Sequence, residues 1–203
     1  MRAEHAAAVG VAEHGNSAVL VTVATGGALV DRRTIDLTHG LPTHPYHHEG
    51  SWAVGRYLNS SWSRPMTLPE AIALVDRVRE AAAHGAREGL DALAGEVSVP
   101  ITRIAIRKCP TIPTTTEERI TDTRAANVAD SVMYRESLAA AAEARGWSVL
   151  WYDRDRVFGD AAAALRGNDL DSFLQAMGRA IGPPWQAKHK LAAAAALAAG
   201  ARG

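Results

Sequence analysis

The chain has 203 residues, 47% hydrophobic and 22% charged, an ordinary globular balance with enough material for a sizeable core. Its 22 lysines and arginines equal its 22 aspartates and glutamates, so no overall positive field exists to hold a polyanion; a nucleic-acid partner would have to rely on local basic patches. Cys109 is the only cysteine, which excludes an internal disulfide and a zinc ribbon and points to a cytoplasmic protein. No stretch approaches the ~20 apolar residues of a membrane span, and Met1-Arg2-Ala3-Glu4-His5 does not read as a secretory signal.

Val9-Gly10-Val11-Ala12-Glu13 predicts a short buried strand, and His14-Gly15-Asn16-Ser17 a turn. Residues 18–24 predict a second strand, Gly26-Gly27 a turn, and residues 28–37 a third strand with alternating side chains. Together these make an antiparallel meander. Residues 38–66 form a long irregular insertion with three prolines, Trp52 and Trp62; such segments in a compact domain are usually functional or mobile.

Thr67 is placed to cap a helix starting at Leu68, with Pro69 in its first turn and Ala71, Leu74, Val75 and Val78 on one apolar stripe. This helix is expected to fade near His84-Gly85, with a second over residues 87–93. Residues 101–107 alternate as a fourth strand. Thr116 predicts the cap of one long helix over 117–145, stopped by Gly146. Residues 147–152 predict a fifth strand, and helices follow over 156–165, 170–180 and 185–199. The result is one α/β domain over 1–203 with a mixed five-stranded sheet and helices on its faces.

Half of the eight histidines, His39, His44, His47 and His48, fall within ten residues. Imidazole both binds transition metals and moves protons near neutral pH. His44, His47, His48 and Glu49 offer up to four ligand groups, although the spacing is not the His-Glu-x-x-His of metalloproteases. The plainer alternative is a polar loop of hydrogen-bonded histidines.

The element order βββαβαβα, with extra C-terminal helices, resembles the ribonuclease-H-like fold. Its Holliday-junction-resolvase branch offers the nearest detailed pattern. Val9-Gly10-Val11-Ala12-Glu13-His14-Gly15 is similar to the branch's first strand and glycine turn, with Glu13 where aspartate is usual. Lys188-His189-Lys190-Leu191-Ala192-Ala193 resembles its last helix, with His189 in the metal-facing place. The resemblance implies a divalent-metal-dependent phosphodiester hydrolase using Mg, Mn or Zn. Glu13 would be a metal ligand, His189 a ligand or proton carrier, Asp153 a further candidate, and nucleic acid the partner. The chain departs from the pattern where the fourth strand should end in an acid: it reads Arg107-Lys108-Cys109.

Each candidate has a plainer reading. Glu13 would pair with an arginine, Asp153 likewise, and Asp155 would cap the next helix. His189 would be a surface residue. Arg124, Asn127, Asp130 and Tyr134 form a polar stripe that either lines a cleft or faces solvent. Arg103, Arg107 and Lys108 either meet phosphate or form a solvated strand face, and Trp147, Trp151 and Trp185 are expected in packing. Two further functions stay open. One is a non-catalytic ribonuclease-H-like binding module with the His-rich loop as its partner surface. The other is a non-nuclease hydrolase built on the histidines.

Overall fold

A computed structural model of the protein describes residues 6–46 and 66–201. Three hairpin-linked strands open it: β1 (Ala7–His14), β2 (Ser17–Ala24) and β3 (Leu29–Asp36). Helix α1 (Leu68–Glu96), β4 (Ile101–Arg107), α2 (Thr116–Thr121), α3 (Thr123–Ala144) and β5 (Ser148–Tyr152) follow. The chain ends in α4 (Val157–Ala164), α5 (Leu170–Ile181) and α6 (Ala187–Gly200).

The five strands lie in the order β3-β2-β1-β4-β5. The β1–β2 and β2–β3 pairs are antiparallel, and the β1–β4 and β4–β5 pairs parallel. This is the mixed five-stranded sheet, with helices on both faces, that the element order predicts. Alternation along each strand divides the core. Val9, Val11, Leu20, Ile104 and Ile106 face α1, α2 and α3. Ala8, Ala12, Val19, Val21 and Ala105 face α4, α5 and α6.

The second face is built from small side chains. Ala192 through Ala199 are all buried, and a Cβ added to Gly10 would lie 1.8 Å from the Ala192 carbonyl oxygen. The alanine-rich C-terminus is therefore a close-packing surface, and Gly10 is what lets the α6 backbone lie against β1.

Several predicted boundaries shift for identifiable reasons. The helix expected to fade at His84-Gly85 runs unbroken from Leu68 to Glu96. One glycine costs a helix about 1 kcal/mol relative to alanine, while Val78, Ala82, Ala86, Leu90 and Leu93 carry the buried stripe across it. Gly85 also lets the helix approach the Leu37 carbonyl, which an added Cβ would meet at 2.6 Å.

The single long helix expected from Thr116 is two helices. Thr115, not Thr116, caps the first in a reciprocal pair with Glu118. Asp122 ends it by donating its N–H to the Glu118 carbonyl, then caps the second by accepting from Arg124 N (2.7 Å) and Ala125 N (3.2 Å). An aspartate that competes for backbone donors breaks the run. The last helix begins at Ala187 rather than Trp185. Trp147 is buried as expected, but Trp151 is 38% exposed on the edge strand β5. Among the described residues no helix is long and apolar enough to cross a membrane.

Candidate functional site

Because β1, β4 and β5 are parallel, their carboxyl ends share one edge of the sheet, where open α/β sheets commonly hold ligands. Glu13 stands there, one residue before the end of β1. Its side chain is only 8% exposed, and it is engaged by Arg135 from the middle of α3, itself 5% exposed. Arg135 Nε donates to Glu13 Oε1 at 2.7 Å, and Nη2 donates to the same oxygen. The remaining terminal nitrogen, Nη1, donates to the Lys108 carbonyl at 3.0 Å. One guanidinium thus joins the ends of β1 and β4.

Tyr152, the last residue of β5, reaches across β4 and donates its hydroxyl to the Val11 carbonyl at 2.8 Å. Burial, then the nearby Glu13 charge, pushes the phenol above its ordinary range, so it remains a protonated donor. Burial likewise raises the Cys109 thiol, against an opposing pull from Arg135; the sulfur is a thiol at neutral pH rather than a nucleophilic thiolate.

Asp153 organises the turn into α4. Its Oδ1 accepts from Asp155 N at 2.9 Å and its carbonyl accepts from Val157 N at 2.9 Å. Asp155 does not cap the helix as expected; Arg156 holds the N-cap position and makes no side-chain cap bond.

His189 is not a surface residue. It is 3% exposed in the first turn of α6, and its Nδ1 accepts from Gln186 N at 3.0 Å. The ring stacks on Trp185 at 5.9 Å. Burial, then the charges of Arg32 and Lys188, lowers its pKa. A neutral imidazole accepting at Nδ1 carries its proton on Nε2, leaving no lone pair for a metal.

The described part of the histidine segment packs on α3. Tyr134 donates its hydroxyl to the Thr43 carbonyl at 2.8 Å, and Tyr46 N donates to Asp130 Oδ1 at 3.0 Å. His44 Nδ1 lies 3.5 Å from Asp130 Oδ2. A Cβ on Gly15, in the β1–β2 turn, would lie 3.9 Å from the His44 ring. Half of the expected polar stripe, Asp130 and Tyr134, is therefore a buried anchor, while Arg124 and Asn127 are exposed. His44 comes to the turn that follows Glu13; His47, His48 and Glu49 lie outside the described residues.

Among the described residues no group of three or more His, Cys, Asp or Glu side chains is arranged to hold a metal ion. Glu13 is taken by Arg135, β4 continues into Arg107 and Lys108, and the His189 Nδ1 lone pair is committed to a backbone N–H.

Two adjoining clefts open at these strand ends. One, ≈ 470 Å³, is lined by Lys108, Cys109, Ser131, Arg135 and Asp153 among others. The other, ≈ 540 Å³, is lined by Glu13, Phe158 and Lys188 among others. Arg107, Tyr152 and Arg154 belong to both.

Sequence reasoning missed Arg135 and Phe158. Arg135 left a faint signal, a lone cation directly after the core run Val132-Met133-Tyr134. Phe158 left none, since an apolar residue after Val157 reads as helix packing.

No protein-family model and no curated protein matches the chain. Among solved structures it is similar to Thermus thermophilus RuvC in complex with a Holliday junction substrate, at 13% identity and a TM-score of 0.49, covering 96% of this chain and 92% of that one. It is also similar to another Thermus thermophilus RuvC structure, at 14% identity and a TM-score of 0.43, covering 95% and 92% respectively.

Proposed function

We propose that the chain is a non-catalytic ribonuclease-H-like binding module that holds an anionic partner against the carboxyl ends of β1, β4 and β5. The observation that carries this reading is the Arg135 guanidinium, bound to Glu13 and to the Lys108 carbonyl. Two-metal phosphodiester cleavage needs carboxylates free to hold cations. Here a buried arginine neutralises Glu13, the acid at the end of β1, and puts a permanent positive charge beside it. Arg107, Lys108 and Arg154 outnumber Asp153 and Asp155 along the same cleft, so the local balance favours an anion although the whole chain is neutral. His44 adjoins this edge beside the Gly15 turn that follows Glu13.

The test is a cleavage assay on the full chain with branched and linear DNA and with RNA, in Mg²⁺ and in Mn²⁺, alongside calorimetric titration with each metal. The expected result is no strand scission and no metal heat. Metal-dependent scission that disappears in Glu13→Gln would overturn the reading and restore a hydrolase in which Glu13, Asp153 and His189 take the catalytic roles.

A further inference from the structure

We infer that the cleft beside Phe158 takes one unpaired nucleotide, its base stacked on the Phe158 ring and its phosphate held by Arg107, Arg154 and Lys188. This deepens, and rests on, the reading of the strand ends as an anion-binding edge. The cleft measures ≈ 540 Å³, within the roughly 300–1,000 Å³ range of small-molecule sites.

Phe158 is 41% exposed, one of two large apolar side chains so exposed among the described residues. Its neighbour Val157 is fully buried, which anchors the first turn of α4, and Phe158 lines the cleft. A lone exposed phenylalanine needs no explanation, but this one shares a cleft with three cations. Arg154 and Lys188 are exposed and Arg107 is half-buried, and none of the three makes a salt bridge to a described residue. The one carboxylate in the wall, Glu13, is neutralised by Arg135 and so does not repel a phosphate.

An aromatic face next to unpaired cations is the combination that binds single-stranded nucleotides without reading their sequence. A simple anion would leave the ring unused. A duplex would keep its bases stacked on one another and out of its reach. The chemistry is common to a free nucleotide and to one residue of a single strand, and competition separates these sources.

The experiment uses the full chain in EDTA with a fluorescein-labelled short oligothymidylate, read by anisotropy. Phe158→Ala should weaken binding roughly ten-fold or more, and Phe158→Trp should retain it. A strand of the same length with abasic sites should lose a similar factor, and Phe158→Ala should not weaken that strand further. Displacement of the label by adenosine monophosphate but not by pyrophosphate assigns a free nucleotide; displacement by oligonucleotides alone assigns a single strand. Either result supports the site.

The inference is overturned if Phe158→Ala, shown folded by circular dichroism, binds as the parent does, or if the abasic strand binds equally well. If Arg107→Glu with Arg154→Glu still lowers affinity in that case, the anionic-partner reading survives without the stacked base. If neither strand nor nucleotide binds, both fall.

Discussion

Arg135 determines what the strand ends can do. A guanidinium and a carboxylate that are both more than nine-tenths buried are individually costly, and they are tolerable because each satisfies the other. Removing one partner leaves the other charged and unpaired. Arg135→Met is therefore expected to destabilise the protein by about 3–5 kcal/mol, measured by urea unfolding. Glu13→Leu combined with Arg135→Met should recover most of that loss, because the double change removes both buried charges. A single variant as stable as the parent would show that solvent reaches the pair. The sequence already marked Glu13: an acid after four strand residues, before a glycine turn, stands at a sheet end. Its partner could not be read, because the two residues lie 122 positions apart and only the packing of α3 on the sheet joins them. The choice between a metal ligand and an arginine-paired acid was open in the sequence for that reason, and the geometry favours the pair.

At the scale of elements, patterns that are local were legible and those decided by neighbours were not. The apolar runs of β1 and β2, the alternation of β3 and β4 and the Thr67–Glu70 capping pair are written in a few adjacent residues. The persistence of α1 through Gly85 is not local, because it depends on the stripe that α1 buries and on Leu37 passing close by. The seating of α6 on β1 depends in the same way on Gly10. Gly10→Ala should cost about 3 kcal/mol or more, since the added methyl meets backbone atoms of α6 that cannot rotate away. A drop in unfolding midpoint of less than a degree or two would show that α6 shifts freely.

His189 links the start of this helix to pH. Its pKa is lowered in the folded protein, first by burial, then by the charges of Arg32 and Lys188. The unfolded chain therefore binds the proton more readily, and the stability this group contributes falls as pH drops below the ordinary histidine value near 6.5. His189→Gln keeps an acceptor for the Gln186 N–H but does not titrate. Urea midpoints from pH 8 to pH 5 should fall more steeply for the parent than for this variant. Parallel curves would remove His189 from the pH response.

For the whole molecule, zero net charge has a kinetic and an equilibrium consequence. Without a long-range field, no electrostatic steering brings a polyanion in, and attraction begins only within about a Debye length of the basic edge. At equilibrium, salt sensitivity counts the phosphates neutralised at that edge and nowhere else. For single strands the slope of log K against log salt is roughly −0.7 per phosphate contact. Three cations, Arg107, Arg154 and Lys188, acting on separate phosphates give a slope of about −2, and acting on one phosphate give about −0.7. The shared cleft favours the smaller value, because all three charges line one ≈ 540 Å³ space. Anisotropy titrations of a labelled single strand from low to moderate salt should therefore give a shallow slope near −1. Lys188→Ala should weaken binding while changing that slope little. A slope of −4 or steeper would place the strand along a much longer basic track than this edge provides, and would move the site away from the ends of β1, β4 and β5.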